Sequence, residues 1–388
     1  MARPGSRLGL FFLEGVNSFG AALYFNYLFF LLRQEFHLSA AASLGIAALH
    51  GGVYMMMSRT AGAVVRRWGY VGTFRIGCAA VTVALVAGGL VQGNLAAQVG
   101  VFVAWTLGIC LTWPPLQAMA TEGEGREETA RAVGIYNLVW SGMAGISNFV
   151  GGGIYDRFGE GSIFWGPALL SLLLVVLAPR LAPGLSPGPG GGDPAVAVPP
   201  PCRENQRFLR LARVANPFAY VAINCLIPTI PLIASRLHLS PTESGWVNST
   251  WFLGRSGMFL LLWRWMAWHY RMDWLLGSFL GMIIGFLAVV LAGQLWVLVG
   301  GQLLFGLGLG LIYYSSLFYA MDAGGEKGEH GGLHESAIGA GTCVGPALSG
   351  TAMVLLPSAG NAVAWVGGGL LAAGFVLLVG MSRRRPAV

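Results

Sequence analysis

The stretch AQVGVFVAWTLGICLTWPPLQAMA, residues 97–120, contains no charged side chain. As an α-helix it would be about 36 Å long, enough to cross a bilayer core of roughly 30 Å. Lipid cannot satisfy backbone polar groups, so such a stretch must be helical. The chain contains further predicted spans of the same character at 8–32, 42–65, 73–92, 132–153, 162–180, 214–235, 244–266, 274–292, 296–321, 332–356 and 361–381.

The composition also indicates membrane residence. Of 388 residues, 55% are hydrophobic and 10% are charged, against roughly 25% charged in a soluble domain. The net charge of +7 does not indicate nucleic-acid binding, because the basic residues lie in short connections and form no continuous stripe. With a cytoplasmic N-terminus, only Arg33, Arg157 and Arg236 among the connecting residues fall outside. We therefore predict an integral protein of a bacterial inner (plasma) membrane with both termini cytoplasmic.

A segment rich in proline and glycine separates two groups of six spans. Residues 181–213 contain a glycine run and a proline triplet, a composition that interrupts helices and forms linkers. The predicted organisation is an N-terminal six-helix bundle, 1–180, the linker, 181–213, and a C-terminal six-helix bundle, 214–388. The fold class is all-α, with twelve transmembrane helices in two bundles.

The two halves resemble each other in sequence. His-Leu-Ser at 37–39, after the first span, recurs at 238–240, after the seventh. Ala-Met at 118–119, which ends the fourth span, recurs at 320–321 at the end of the tenth. Both matches have an offset of roughly 200 residues, the spacing expected of a duplication. We therefore expect the bundles to be pseudo-symmetric, as in transporters built from repeats.

Two motifs resemble those of a known family. Residues 62–69, GAVVRRWG, are similar to the Gly-x-x-x-Asp-Arg-x-Gly loop of the major facilitator superfamily, with Arg66 at the acidic position. Residues 151–159, GGGIYDRFG, are similar to the family's usual end of the fifth helix. The resemblance covers the whole chain and implies a secondary transporter that works by alternating access, with its substrate between the bundles. It implies gating roles for Gly62, Arg67 and Gly69.

Two arginines within predicted spans are candidates for substrate binding. Arg255 lies roughly 16 Å into the eighth span, where a charge costs at least about 2.5 kcal/mol unless it faces a cavity or a partner. Arg59 lies in the second span, the counterpart of the eighth under duplication. Together they could clamp carboxylate, phosphate or nitrate, an arrangement similar to nitrate porters of the superfamily. Alternatively, Arg255 is structural and Arg59 reaches the membrane interface.

Two further ionisable residues could carry protons. Glu14, in the first span, could take up protons and couple transport to a proton gradient. It could equally be the salt-bridge partner of Arg59, or face solvent. His50, near the middle of the second span, could relay protons or be an ordinary hydrogen-bonded histidine within the bundle.

Other polar or aromatic positions complete the candidate site. His330 and His334 have the spacing of a chelating pair, but no third ligand supports them and Gly331 and Gly332 would interrupt the helix. We predict no metal site and interpret this region, which includes Glu335, as a gate or solvated loop. The additional candidates for substrate contacts are Asn148, Trp113, Gln117, Asn224, Asn248 and Tyr314.

These residues favour transport over other functions. The first hypothesis is a transporter of a small anion, with protons as a candidate coupling ion. The second is an exporter of amphiphilic or hydrophobic compounds. A third, of another class, is a receptor or scaffold that transports nothing. No Ser/Lys or Ser/His pair and no His-Glu-x-x-His motif indicates an enzyme. We expect a monomer in the lipid bilayer, with a small-molecule substrate, no cofactor and no nucleic-acid partner.

Overall fold

A computed structural model describes residues 4–121, 126–182, 203–322, 327–357 and 361–383. These residues form helices joined by short turns, with no strand among them, so the all-α prediction is confirmed. The helices are α1 (Pro4–Gln34), α2 (Ala40–Met57), α3 (Ala61–Leu90), α4 (Leu95–Ile109), α5 (Trp113–Thr121), α6 (Arg126–Phe158), α7 (Ser162–Leu181), α8 (Arg203–Leu226), α9 (Ile230–Arg236), α10 (Pro241–Arg264), α11 (Met272–Val290), α12 (Leu295–Asp322), α13 (Lys327–Leu355) and α14 (Ala362–Arg383).

The helix lengths accord with twelve membrane crossings. Within the described ranges, nine helical segments are long and apolar enough to span a membrane. One of them, Ala40–Leu90, has 51 residues, or about 77 Å of helix, which is enough for two crossings. It breaks at Gly69, whose φ of 69° suits glycine and interrupts the helix. Helices α6 and α10 have 33 and 24 residues, which is also enough to cross.

The sequence repeat has a structural counterpart. His37 and His238 both have positive φ, 51° and 55°. The serine two residues later, Ser39 or Ser240, has extended backbone, and its side chain accepts a backbone N–H of the helix that follows. Each half therefore enters its second membrane helix through the same turn and the same N-cap.

Two helices begin earlier than predicted. Helix α8 begins at Arg203, within the predicted linker 181–213, because its first turns are amphipathic and pack on the bundle. Phe208 is buried there, and Arg207 donates a hydrogen bond to a carbonyl at the end of α14. Helix α13 begins at Lys327 and continues through both glycines that we expected to interrupt it. The rest of the predicted linker, 183–202, lies outside the described residues.

The halves meet along two pairs of helices, which we call the α6–α10 seam and the α2–α13 seam. We call the end of the bundle where α1 begins and α14 ends the terminal face, and the other end the opposite face. Glycines let both seams pack closely. A side chain at Gly152 would collide with the Pro241 carbonyl, and one at Gly51 would collide with the Cys343 backbone.

Candidate functional site

Three buried charged side chains lie at a similar depth in the described part of the bundle. Counting 1.5 Å per residue, Glu14 is about 15 Å from the start of α1 and Glu335 about 12 Å from the start of α13. Arg255 is about 14 Å from the end of α10. All three helix ends belong to the terminal face, so the charges lie near one level of the membrane. We therefore treat this level as the candidate site.

Arg255 lies in the α6–α10 seam inside a cage of aromatic rings. Its Cζ is 4.1 Å from the ring centroid of Trp140 on α6. It is 4.7 Å and 4.8 Å from the rings of Trp251 and Phe252 on its own helix. A desolvated cation against an aromatic face gains about 2 kcal/mol, which offsets part of the cost of burying this charge. The guanidinium is thus enclosed by aromatic rings from both helices of the seam.

Some N–H donors on the edge of the Arg255 guanidinium have no acceptor among the described residues. Nε donates a hydrogen bond of 3.0 Å to Oγ of Ser141, whereas Nη2 is buried without a partner among the described residues. No carboxylate within the described ranges lies within 4.0 Å of Arg255, which is only 4% exposed. The N–H groups of an arginine form a planar fork that fits carboxylate or phosphate oxygens. Arg255 therefore presents an unsatisfied anion-binding edge.

Glu14 is fully buried on the N-terminal side of the same level. Its Oε1 accepts a hydrogen bond of 2.7 Å from Ser18, and its Oε2 has no partner among the described residues. Tyr136 and Trp113 also face this carboxyl group. The predicted alternative, a salt bridge to Arg59, does not occur in the described part of the chain. The carboxyl group can thus exchange a proton without breaking an ion pair.

Glu335 is buried in the α2–α13 seam and is only 3% exposed. Its Oε2 accepts a hydrogen bond of 2.6 Å from the Tyr54 hydroxyl, and its Oε1 accepts one of 3.1 Å from Nε2 of Gln117. Both donors belong to the N-terminal half. A carboxylate in the C-terminal half is therefore held by the other half of the molecule.

Two tyrosines lie near the charged side chains. Tyr313, on α12, lies within electrostatic range of all three charged side chains. Tyr220, on α8, lies within range of Arg255 and Glu335. Their hydroxyl groups can donate or accept hydrogen bonds, and their rings supply apolar surface. The site therefore combines two signs of charge with aromatic walls.

The other predicted ionisable residues lie elsewhere. Arg59 is exposed, and its Nε donates a hydrogen bond of 3.1 Å to Ser336 in the α2–α13 seam. The contacts of the two arginines are thus on different seams, and the structure does not bring Arg59 and Arg255 together. His50 is buried within the N-terminal half, where Nδ1 is 2.8 Å from Thr106 Oγ1 and its ring stacks on Phe102.

The predicted polar residues mostly bind other protein groups. Asn248 donates a hydrogen bond of 3.0 Å to Asn148 across the α6–α10 seam. Asn224 donates to Thr342 at 3.1 Å and to a backbone carbonyl on its own helix. Tyr314 packs against Trp268 near the terminal face. The side chains of these four residues join helices. Of the predicted polar and aromatic residues, Trp113 and Gln117 are the two that lie beside the charged side chains, next to Glu14 and Glu335 respectively.

The remaining predictions concern the loops at the terminal face. Gly69 has a positive φ of 69°, Arg67 lies 5.7 Å from the ring of Trp68, and the space beside Gly62 is open apart from Arg66. Among the described residues, no three His, Cys, Asp or Glu side chains are grouped as metal ligands. The side chains of His330 and His334 lie outside the described residues.

Several site residues were not identified from the sequence. Aromatic residues are common in membrane spans, so nothing in their spacing indicates which of them face the other half. Asn137, Ser141 and Asn148, at spacings of four and seven on α6, do indicate a polar helix face that includes the Arg255 contact. The missed residues are Tyr54, Tyr136, Trp140, Ser141 and Tyr220.

Both seams are closed along the described chain. Near the opposite face, Asp156 on α6 accepts a backbone hydrogen bond of 3.0 Å from Thr242 and a second bond from its hydroxyl, at the start of α10. Closer to the site, two neighbouring cavities share Asn248 and each has room for about one water molecule. A larger solute therefore requires the seams to separate.

The fold is similar to solved transporters of low sequence identity. The structure of the human organic anion transporter MFSD10 (TETRAN) has a TM-score of 0.73 at 14% identity, covering 97% of this chain and 100% of that one. The nucleoside transporter NupG has a TM-score of 0.71 at 12% identity, covering 98% and 100%. A mutant of the peptide transporter POT has a TM-score of 0.72 at 15% identity, covering 98% and 94%.

Sequence comparison gives the family. No curated protein matches the chain significantly. The family described as Major Facilitator Superfamily matches residues 10–224 and again residues 214–388, which together span nearly the whole chain and both halves. With membrane-spanning helices and the same fold as solved transporters, this integral membrane protein belongs to the Major Facilitator Superfamily.

Proposed function

We propose that this protein is a secondary transporter of a small organic anion, bound through Arg255. The observation that supports this proposal most directly is the buried Nη2 of Arg255, which has no partner among the described residues. A buried charged donor without an acceptor costs more than a neutral one, and an incoming carboxylate would remove that cost. Among the buried basic groups of the described chain, this is the one that presents an unsatisfied edge to the level between the halves.

The aromatic walls favour an organic anion over a small inorganic one. Trp140, Trp251 and Phe252 surround the guanidinium, and the rings of Tyr220 and Tyr313 lie near it. An apolar part of the substrate would gain roughly 25 cal/mol for each Å² it buries against them. The neighbour described as an organic anion transporter is consistent with this substrate class.

We propose that Glu14 couples transport to protons. An ionised Glu14 would repel an anion at the same level of the membrane, so anion binding favours its protonated form. Because the coupling of two ligands is reciprocal, protonation would strengthen anion binding by the same factor. With the terminal face in the cytoplasm, as the distribution of basic residues favours, a proton gradient directed inward would drive uptake.

We propose that access alternates by separation of the two seams. In this proposal Arg59 belongs to the α2–α13 seam, through Ser336, and not to the anion site. The motif residues Gly62, Arg67 and Gly69 would shape the terminal-face loop as the halves rock. We further propose a bacterial inner membrane as the location, with both termini cytoplasmic.

A second candidate is export of an amphiphilic compound. It is favoured by the same aromatic lining, because the walls near Glu14 and Arg255 could hold a large apolar body. A third candidate, a receptor that binds a ligand without moving it, differs in one observable: it would produce no flux across a sealed membrane.

Reconstitution into proteoliposomes tests these candidates. We expect uptake of aromatic carboxylates that increases with an inward proton gradient. Arg255→Gln should lower kcat/KM about 100-fold, as loss of a charged, buried hydrogen bond predicts. Arg255→Lys should recover part of it, because charge remains while the planar fork is lost.

The control variant is Arg180→Gln, which removes an exposed charge whose hydrogen bond stays within α7. Its kcat/KM should stay within about 3-fold of the wild type, the range of a surface hydrogen bond. Equal carboxylate uptake by the Arg255→Gln variant, in protein that elutes and melts like the wild type, would reject the anion proposal.

A further inference from the structure

Glu335 is a buried charged group that the proposed function leaves unused. No arginine, lysine or histidine of the described chain lies within 4.0 Å of this carboxyl group. The hydrogen bonds from Tyr54 and Gln117 stabilise a carboxylate, because both partners donate. Isolated buried charges are costly, so a group of this kind indicates a ligand or a function.

The two donors leave acceptor capacity on Glu335. A carboxylate offers about four lone-pair sites, and Tyr54 and Gln117 occupy one on each oxygen. The other sites of Glu335 can therefore accept from an ammonium or guanidinium group. Arg255 presents the complementary feature, a donor edge without an acceptor among the described residues.

Arg255 and Glu335 lie at a similar depth and have two neighbours in common. Glu335 lies about 12 Å and Arg255 about 14 Å from the terminal-face ends of their helices. Tyr220 and Tyr313 each lie within electrostatic range of both side chains. Arg255 and Glu335 thus lie at one level and share two tyrosine neighbours.

We propose that the transported solute is bipolar, with an anionic group bound by Arg255 and a cationic group bound by Glu335. The chemical class is an amino acid or a short amino-acid derivative whose carboxylate accepts from Nη2 and whose ammonium donates to the Glu335 oxygens. The inference rests on the proposed function, since it adds a second pole to the Arg255 site.

Such a ligand would also act on the conformation. Arg255 contacts α6 and Glu335 contacts α2 and α5, so both poles are fixed by contacts between the halves. A solute that binds both poles bridges the two seams at once and favours the closed arrangement. A ligand with a single charge pairs with Arg255 or with Glu335 and leaves the other side chain buried without an ionic partner.

Matched ligands test the proposal on purified full-length protein. The probes are ω-aminocarboxylates with about two to seven methylene groups, each paired with the alkanoate of the same length, together with phenylalanine and 3-phenylpropionate. We expect at least one amino acid to bind about 10-fold more tightly than its paired carboxylate, because a site with a buried polar group rejects the analogue that lacks the partner. Binding is measured by thermal shift and by competition.

The variant Glu335→Gln should reverse this preference, so that the carboxylate of the pair binds as well as the amino acid or better. The control is Glu204→Gln, an exposed carboxyl on α8, which should leave the preference unchanged. The bipolar proposal is wrong if every alkanoate binds as tightly as its amino acid, or if Glu335→Gln leaves a wild-type preference intact.

The outcomes separate the two proposals. Carboxylates that bind through Arg255 without any preference for an ammonium group would overturn the bipolar inference and leave the anion transporter standing. If neither series binds and Arg255→Gln changes nothing, both proposals fail together. Should Glu335→Gln fail to fold, Gln117→Leu provides a second variant, which removes a donor to Glu335 and should weaken amino-acid binding more than carboxylate binding.

Discussion

The α6–α10 seam and the α2–α13 seam occupy equivalent places in the duplicated fold, yet they bury opposite charges. Arg255 lies in the first, against Trp140 and Ser141, and Glu335 lies in the second, against Tyr54 and Gln117. The duplication therefore reproduces the backbone and not the chemistry. The asymmetry gives the centre of the protein a positive and a negative pole.

The seams also differ at the opposite face. Asp156 closes the α6–α10 seam by accepting hydrogen bonds at the start of α10. At the same end of the α2–α13 seam, Gly350 packs directly on Ala41 and Leu44. Hydrogen bonds to Asp156 hold the α6–α10 seam at this face, and close backbone packing holds the α2–α13 seam.

Among the changes that compare the two seams, the largest effect is expected from preventing closure of the α6–α10 seam. Gly152→Ala places a methyl group against the Pro241 carbonyl, and backbone atoms cannot move aside without separating the seam. An overpacking cost of about 1–3 kcal/mol on the closed state predicts roughly 10- to 100-fold slower transport. Gly153→Ala is the control, because open space surrounds that position. Equal turnover by both variants would show that this seam need not close.

A smaller effect is expected from opening the aromatic cage. Trp140→Leu removes the ring nearest to the Arg255 guanidinium, so the side chain loses about 1–2 kcal/mol of cation–π attraction and becomes less ordered. We expect about 10-fold weaker substrate binding, measured by competition, with kcat little changed. Trp165→Leu, at a half-exposed position on α7, is the matched control. A Trp140 variant with wild-type affinity would mean that the cage does not orient Arg255.

A still smaller effect is expected from weakening the hydrogen bonds between Thr242 and Asp156 at the opposite face. Asp156→Asn retains an oxygen for Thr242 and removes the negative charge at the start of α10, a change of roughly 0.3–1 kcal/mol. We expect the opposite face to open more often, which increases labelling of Ser244→Cys by a membrane-impermeant thiol reagent about 2- to 5-fold. The control is Asp273→Asn, which removes an exposed carboxylate beside Arg271. Unchanged labelling would assign closure of this face to packing alone.

The smallest effect concerns acidic residues between the helices at the opposite face. Partial burial, a hydrogen bond with Glu35 and repulsion from it raise the pKa of Glu160 to about 7. A carboxyl group with a raised pKa stabilises the fold at low pH, and this contribution is lost as the pH rises through about 7. The apparent Tm should therefore fall slightly between about pH 5 and 8, and less in Glu160→Gln. Parallel pH profiles for the two proteins would contradict a raised pKa of Glu160.

Much of the fold follows from local pattern. Long apolar stretches predict the spans, because a bilayer imposes both length and hydrogen bonding. The prolines at 114–115 and at 228 and 231 predict breaks, and the structure has breaks between α4 and α5 and between α8 and α9. The repeated His-Leu-Ser predicts a duplication whose two copies share a positive φ and an N-cap.

The candidate site was only partly predictable. Arg255 and Glu14 stand out because charge within a span is costly wherever the helix points. The sequence predicts a gate that includes Glu335, because a region rich in glycine and charge does not indicate that α13 begins as early as Lys327. The pairing of Arg59 with Arg255 assumed equivalent chemistry in equivalent helices, which the duplicated backbone does not require.

The sequence by itself determined the membrane-spanning helices, the duplication and the depth of Glu14 and Arg255, because these depend on hydrophobicity and on distance along one chain. Only the tertiary structure decided which side chains face each other. That choice depends on helix rotation and on contacts between residues far apart in sequence, such as Arg255 with Trp140 and Glu335 with Tyr54. Side-chain packing fixes these relations, and a one-dimensional pattern does not contain them.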